Sequence, residues 1–139
     1  MSSDLEKIAL FISKHHVMSL ATAYCESISV CSLFYIHDTE SFSFVVASSE
    51  DTLHVKHVIQ NSAVAGNILL ETDTVGKIEG LQFQGTMTPL KDKYLQKLYF
   101  KSYPYALAMM PKLWQIEVSS YKLTDNRLGF GKKIIYLVS

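Results

Sequence analysis

The chain has 139 residues, about the length of one domain, so we expect a single domain over residues 1–139. Hydrophobic residues make up 48% of it and charged residues 19%, a composition that excludes a disordered chain and predicts a compact core. Thirteen Lys and Arg balance thirteen Asp and Glu, and Arg127 is the sole arginine. We therefore expect no nucleic-acid partner.

The N-terminus and the cysteines predict the compartment. Residues 1–4 are polar, and no apolar run reaches the roughly 18 residues needed to span a bilayer, so we expect neither a signal peptide nor a membrane partner. Cys25 and Cys31 form no CxxC pair, which indicates free thiols in a reducing environment. The sequence therefore predicts a cytoplasmic protein.

The first predicted element is a helix. Ser3 and Glu6 have the spacing of a capping box, and the helix is expected to end near Lys14. The apolar residues that follow the cap recur on one helical face, namely Leu5, Ile8, Ala9 and Ile12.

A hairpin and a third strand follow. Residues 17–24 and 28–37 read as two strands around a turn at 25–27, and residues 42–48 alternate as a third strand ending at Ser48. The second strand places five residues on one face: Ile28, Val30, Ser32, Phe34 and Ile36. Ser49 or Asp51 is then expected to cap a short helix that ends at Gln60. Its inward face is predicted to hold Val55, Val58 and Ile59.

The second half alternates in the same way. Strands are predicted at 63–71, 78–90, 113–123 and 133–138, with an amphipathic helix at 92–103 that Pro104 closes. A turn at 125–131 joins the last two strands. Six or seven short antiparallel strands with three short helices favour a closed β-barrel, because closure leaves few strand edges exposed.

Two runs carry a family resemblance. Residues 44–58, FVVASSEDTLHVKHV, resemble the strand, turn and helix of the pyridoxamine 5′-phosphate oxidase-like FMN-binding split barrels, with Ser48, Thr52 and His54 at the matching positions. Residues 124–137, TDNRLGFGKKIIYL, are similar to the tail of a small YhbP-like bacterial branch. The resemblance implies an antiparallel split barrel that forms a homodimer, with FMN at the subunit interface. The high apolar content favours such a dimer too.

The resemblance also implies where FMN would lie. The phosphate would meet hydroxyls and the amides at a helix N-terminus, and the ring would lie along the second strand. The implied cofactor-binding residues are Ser32, Leu33, Phe34, Ser48, Ser49, Thr52, His54, Gln82, Trp114 and Lys132. A substrate would stack beneath the tyrosines Tyr99, Tyr103 and Tyr105. There are two departures: Ser32 stands where many of these oxidases have an arginine, and His54 stands where a lysine is common.

Several alternatives stay open. The run from Ser48 to Thr52 is also an ordinary helix cap, Trp114 is also a core residue, and Lys132 is also a solvated lysine. The histidine pairs 15/16 and 54/57 offer only a weak metal signal, and no metal site is predicted. No constellation of catalytic side chains stands out in the sequence. A flavoprotein does not require one, because the bound flavin supplies the redox chemistry itself. The leading hypothesis is an FMN-dependent oxidoreductase of a small molecule. A non-catalytic flavin module or a haem- or deazaflavin-binding barrel is the alternative.

Overall fold

The computed structural model describes residues 2–129 and 131–139, without the side chain of Leu128. The helices are α1 (Ser3–Ser13), α2 (Leu53–Gln60), α3 (Lys93–Ser102) and α4 (Pro104–Ala108). The strands are β1 (Val17–Tyr24), β2 (Ser27–Asp38), β3 (Ser43–Ala47), β4 (Ala63–Leu69), β5 (Glu79–Pro89), β6 (Leu113–Asp125) and β7 (Lys133–Leu137). Single turns of 3₁₀ helix lie at Val75–Lys77 and Asn126–Leu128. None of the helices in these ranges is long and apolar enough to cross a membrane.

The strands form one antiparallel sheet in the order β3-β2-β1-β4-β5-β6-β7. The sheet closes because the first half of β6 also pairs with β3, from Leu113 opposite Ala47 to Glu117 opposite Ser43. The second half of β6 pairs with β7 instead. Six strands therefore close a barrel and the seventh extends it, which confirms the predicted antiparallel split barrel.

Two apolar clusters hold this architecture together. The interior of the barrel contains large buried side chains, with α1 and α2 packed onto it: Ile8, Ile12, Phe44, Val55, Phe83, Trp114 and Tyr121. A smaller cluster lies outside the barrel wall, where α3 covers Val45 of β3 and Leu113 of β6 with Leu95 and Tyr99. The α3 helix therefore shields the outer face of β3 and leaves the outer faces of β1, β4 and β5 open.

The helix caps differ from the sequence prediction. Ser2, not Ser3, caps α1, and its Oγ accepts from the Leu5 amide at 3.0 Å. Thr52 caps α2, where Ser49 or Asp51 was expected. Ser2 and Thr52 have the extended backbone that an N-cap residue requires. Spacing alone does not reveal which of several adjacent hydroxyls takes that backbone conformation.

The inward face of α2 is also different. Ile59 was expected to face inward but is 59% exposed, while His54 and His57 are buried. His57 can be buried against the barrel because both of its ring nitrogens have hydrogen-bond partners. Thr22 Oγ1 lies 2.8 Å from its Nδ1, and Ser27 Oγ lies 2.9 Å from its Nε2. Buried polar groups are tolerated where they are hydrogen-bonded, so two histidines replace the expected isoleucine.

The described part of the chain contains four α-helices, where three were predicted. Pro104 was expected only to close α3, but it also opens the short α4 as its first residue. Proline suits that position because its missing N–H would have no intrahelical partner there.

Charged residues hold the predicted turn at 125–131 in place. Arg127 binds Glu79 at 2.7 Å and Asp125 at 3.1 Å, which ties the turn to β5. Gly129 and Gly131 have φ values of 130° and 73°, a region that favours glycine. Phe130, between them, lies outside the described residues. The two cysteines are free, as expected.

Candidate cofactor site between β3 and α2

The polar residues that follow β3 meet in one cluster. Ser48 Oγ lies 2.7 Å from His54 Nε2, and Thr52 Oγ1 lies 3.4 Å from the same nitrogen. The indole Nε1 of Trp114 donates to the Ser48 carbonyl at 3.1 Å. The structure thus brings together four residues of the predicted site that lie as far as 66 positions apart in the chain.

His54 is not a cation in this cluster. Burial lowers the pKa of its imidazole from 6.5, and the neighbouring His57 lowers it further. At neutral pH the ring is therefore uncharged and offers a neutral hydrogen-bond donor or acceptor.

The first turn of α2 supplies further donors. The amide of Val55 donates to Thr52 Oγ1 at 3.4 Å, and the amide of Thr52 donates to the Ser49 carbonyl at 3.2 Å. The amides of Leu53 and His54, the first two residues of α2, have no intrahelical acceptor, because the first amides of any helix lack one. Ser49 Oγ donates to Asp51 at 2.5 Å, so its hydroxyl faces a carboxylate in this conformation.

Sequence reasoning missed a cation at this junction. Lys112 Nζ lies 2.5 Å from Glu50 Oε1 and 4.8 Å from the centre of the Trp114 ring. It is placed there because the Ser48 amide donates to the Lys112 carbonyl at 3.0 Å, next to the β3–β6 pairing. That pairing joins distant segments, so only the sheet register reveals it.

The predicted residues of β2 lie beside the junction. Val46 of β3 pairs with Tyr35 of β2, so Leu33 and Phe34 follow at the level where β3 ends. Leu33 packs against the interior of the barrel, while Ser32 and Phe34 face outward. The Phe34 ring lies 5.5 Å from that of Tyr103, edge to face.

A cleft of about 780 Å³ opens beyond Phe34, between α1, β2 and α3. Its described lining consists of Ala9, Ile12, Ser13, His15, His16, Phe34, Tyr35, Ile36, His37, Thr39, Ser102 and Tyr103. Of the three tyrosines expected near a substrate, Tyr103 lines this cleft and donates its hydroxyl to the Tyr35 carbonyl at 2.5 Å. Tyr99 is part of α3 and is buried against the barrel wall, and Tyr105 is 94% exposed.

Two other predicted residues lie far from this region of the same chain. Ser32 pairs with Ser19, Ser19 with Asn67, and Asn67 with Gln82. Gln82 is therefore three strand spacings from Ser32, or roughly 14 Å. Lys132 precedes β7 and lies beside Asp125 at the end of β6, whereas β3 pairs with the opposite end of β6, residues 113–117. Neither residue is among those gathered at the β3–α2 junction.

Trp114 is a core residue in this chain. Its side chain is 1% exposed and packs within the barrel. A contact between Trp114 and a cofactor stays a prediction. No group of metal-ligating side chains occurs among residues 2–129 and 131–139.

The chain has clear relatives, although no protein-family model matches it. A UPF0306 protein of Cronobacter sakazakii is 32% identical over 136 residues, which cover 96% of this chain and 94% of the relative. The UPF0306 protein YhbP of Escherichia fergusonii is 32% identical over 138 residues, covering 97% and 94% of the two chains.

Solved structures share the fold at low identity. A haem-binding protein of Mycobacterium smegmatis has a TM-score of 0.79 at 14% identity, over 99% of this chain and 59% of that one. A putative pyridoxamine 5′-phosphate oxidase of Listeria innocua has a TM-score of 0.70 at 14% identity, over 86% and 96%. An FAD-binding protein of Mesorhizobium loti has a TM-score of 0.66 at 14% identity, over 87% and 92%. The chain therefore belongs to the UPF0306 family, which includes YhbP, and it has the split-barrel fold of the pyridoxamine 5′-phosphate oxidase-like proteins.

Proposed function

We propose that this protein binds FMN, with the phosphate at the β3–α2 junction and the ring along β2, and uses it as an oxidoreductase of a small molecule. The observation that supports this most is the cluster of Ser48, Thr52 and His54 at the first turn of α2. Hydroxyls and helix N-terminal amides are the donors that a phosphate prefers.

The donor set of the junction fits a phosphate. Lys112 adds the positive charge that β2 lacks, because its flexible side chain can exchange Glu50 for a phosphate oxygen. His54 adds a neutral donor that becomes a stronger one if the phosphate favours its protonated form. Bound flavin would supply the hydride or electron transfer. The chain's own residues bind and orient the group and exclude water from it.

The ring site draws on the outward face of β2. Phe34 is 56% exposed and contacts Tyr103, so it provides apolar surface at the mouth of the cleft. A ring lying there would leave the cleft free for a substrate.

A homodimer completes this site. Ile28 and Val30 of β2 are 75% and 71% exposed, and small side chains of β1 and β4 lie beside them, namely Ala21, Ala23, Ala63 and Ala65. Such an exposed apolar surface is typical of a protein interface. A second copy on this surface would bring its own Gln82 and Lys132 within reach of the flavin. The FAD-binding protein of Mesorhizobium loti, which shares this fold, supports the choice of a flavin.

The test is to titrate the purified protein with FMN and to monitor binding by absorbance and fluorescence. Thr52→Ala is expected to weaken binding, whereas Thr88→Ala, an exposed threonine on β5, serves as the matched control. Equal FMN affinity in the two variants, or no FMN binding by the natural protein, would overturn the proposal.

Haem is the second candidate. His16 is exposed and lines the cleft together with His15 and Tyr103, and imidazole or phenolate groups are the usual axial ligands of haem iron. A haem-binding protein also shares the fold. Haem titration separates the two, because a Soret band that disappears in His16→Ala would favour haem, and flavin absorbance would favour FMN.

A further inference from the structure

The cleft beyond Phe34 differs from the β3–α2 junction in its charge. Its lining, as far as the described residues show it, contains no lysine, arginine, aspartate or glutamate. Four charged residues are chain neighbours of lining residues, namely Lys14, Asp38, Glu40 and Lys101, but none of them lines the cleft. Asp38 accepts hydrogen bonds from the amide and hydroxyl of Ser41. A ligand that enters the cleft therefore meets no fixed charge.

Two of the histidines that line the cleft are neutral at physiological pH. Burial lowers the pKa of His37 to about 4, and its Nε2 lies 2.8 Å from the Tyr121 hydroxyl. Burial also lowers the pKa of His15, whose ring packs 4.5 Å from that of Phe11. Both imidazoles thus offer hydrogen bonds without charge.

The remaining walls are aromatic, aliphatic and hydroxylic. Phe34 and Tyr103 form an edge-to-face pair on one side, and Ile12 lies on another. Ser13, Thr39 and Ser102 contribute hydroxyls. The volume of about 780 Å³ lies within the range of small-molecule sites.

We propose that this cleft binds an uncharged, planar aromatic molecule and discriminates against phosphorylated ones. The ring would pack against Phe34 and Tyr103, and a hydroxyl or carbonyl on it would bond to the hydroxyls or imidazoles. A phosphate dianion would lose its hydration without gaining a cation, which is strongly unfavourable. The assignment of this molecule as the substrate rests on the proposed flavin site next to it.

A matched pair of probes tests the proposal, namely 1-naphthol and 1-naphthyl phosphate, which differ only in the phosphate. Equilibrium dialysis of the full chain is expected to show naphthol binding tighter than about 1 mM and at least about tenfold tighter than naphthyl phosphate. Phe34→Ala should weaken naphthol binding by about tenfold or more. Leu69→Ala, an exposed leucine of β4 outside the cleft, should leave it unchanged. Circular dichroism checks that both variants remain folded.

A gain of function supplies the second arm. Ser102→Lys adds a cation to the exposed edge of the lining and should tighten naphthyl phosphate several-fold while leaving naphthol unchanged. Equal or tighter binding of naphthyl phosphate by the natural protein, or no naphthol binding at about 1 mM, would overturn the proposal. The measurement is made with and without saturating FMN, and the two probes are compared in its presence, so that the proposed phosphate site at the β3–α2 junction is occupied. Failure to bind FMN contradicts the proposed function alone, and failure to prefer naphthol contradicts the cleft proposal alone.

Discussion

Two histidines lie one turn apart on α2 and differ in how the surrounding chain holds them. His57 has a hydroxyl partner on each nitrogen, Thr22 from β1 and Ser27 from β2, so the ring joins the helix to the barrel wall. The hydroxyls of Ser48 and Thr52 both approach the Nε2 of His54, at the end of β3. Burial therefore does not distinguish a structural histidine from a candidate ligand-binding one, whereas the arrangement of partners does.

Removing His57 should have the largest effect. His57→Ala leaves a cavity and deprives the buried Thr22 hydroxyl of its partner, so we expect the free energy of unfolding to fall by about 3–4 kcal/mol. Urea denaturation measures it, and His54→Ala is the control with the smaller expected loss. A greater loss in His54→Ala would reverse the roles given to the two residues.

A third histidine, the half-buried His37, extends the comparison to pH. The pKa of His37 is about 4 in the folded protein against 6.5 in the unfolded chain, so the unfolded chain binds more protons between these values. Stability should therefore fall as the pH drops from 6.5 to 4, by about 3 kcal/mol in total from this residue. Unfolding of the natural protein and of His37→Gln across this range checks it. Parallel pH profiles in the two proteins would show that His37 is not responsible.

His54 and its neighbour Thr52 should contribute to the affinity for FMN. Thr52→Ala and His54→Ala are each expected to weaken FMN binding by about 1.5–3 kcal/mol, roughly ten- to a hundredfold, because each removes a hydrogen bond to a charged phosphate. Titration calorimetry measures the affinity. Unchanged affinity in both variants would place the phosphate elsewhere.

A cation introduced on β2 should have a smaller effect. Ser32→Arg is expected to tighten FMN by about 1–2 kcal/mol if Ser32 stands next to the phosphate, and the gain should shrink as salt rises. If Lys132 and Lys133 of a second copy already neutralise the phosphate, the substitution gives no gain, and replacing both lysines by alanine releases the flavin. Affinities at low and high salt distinguish these two arrangements.

The smallest effect is expected from the carboxylate that holds Lys112. Glu50→Gln releases the lysine from its exposed ion pair, which should tighten FMN by less than about 1 kcal/mol. Glu26→Gln, at the exposed β1–β2 turn, is the matched control for a lost surface charge. Weaker FMN binding in Glu50→Gln than in the control would exclude Lys112 as a phosphate ligand.

Periodicity in the sequence determined the class of the fold. Alternating runs predicted the seven strands to within a few residues at their ends, and the 3.6-residue pattern predicted α1, α2 and α3. These signals are local, because side-chain direction within one strand or helix depends only on neighbouring residues. The run around Ser48 and Thr52 was likewise recognisable, since a strand followed by hydroxyls and a helix is a contiguous pattern.

Only the tertiary structure decided which surfaces and charges come together. Alternation placed Ile28, Val30 and Phe34 on one face of β2, but closure of the barrel made that face the outer one. Pairing of β3 with β6 carried Lys112 to a junction whose own segment has no cation before Lys56. Thr22 and Ser27 allowed His57 to be buried in place of Ile59. Each outcome depends on contacts between segments distant in the chain, and such contacts leave no periodic signal in the sequence.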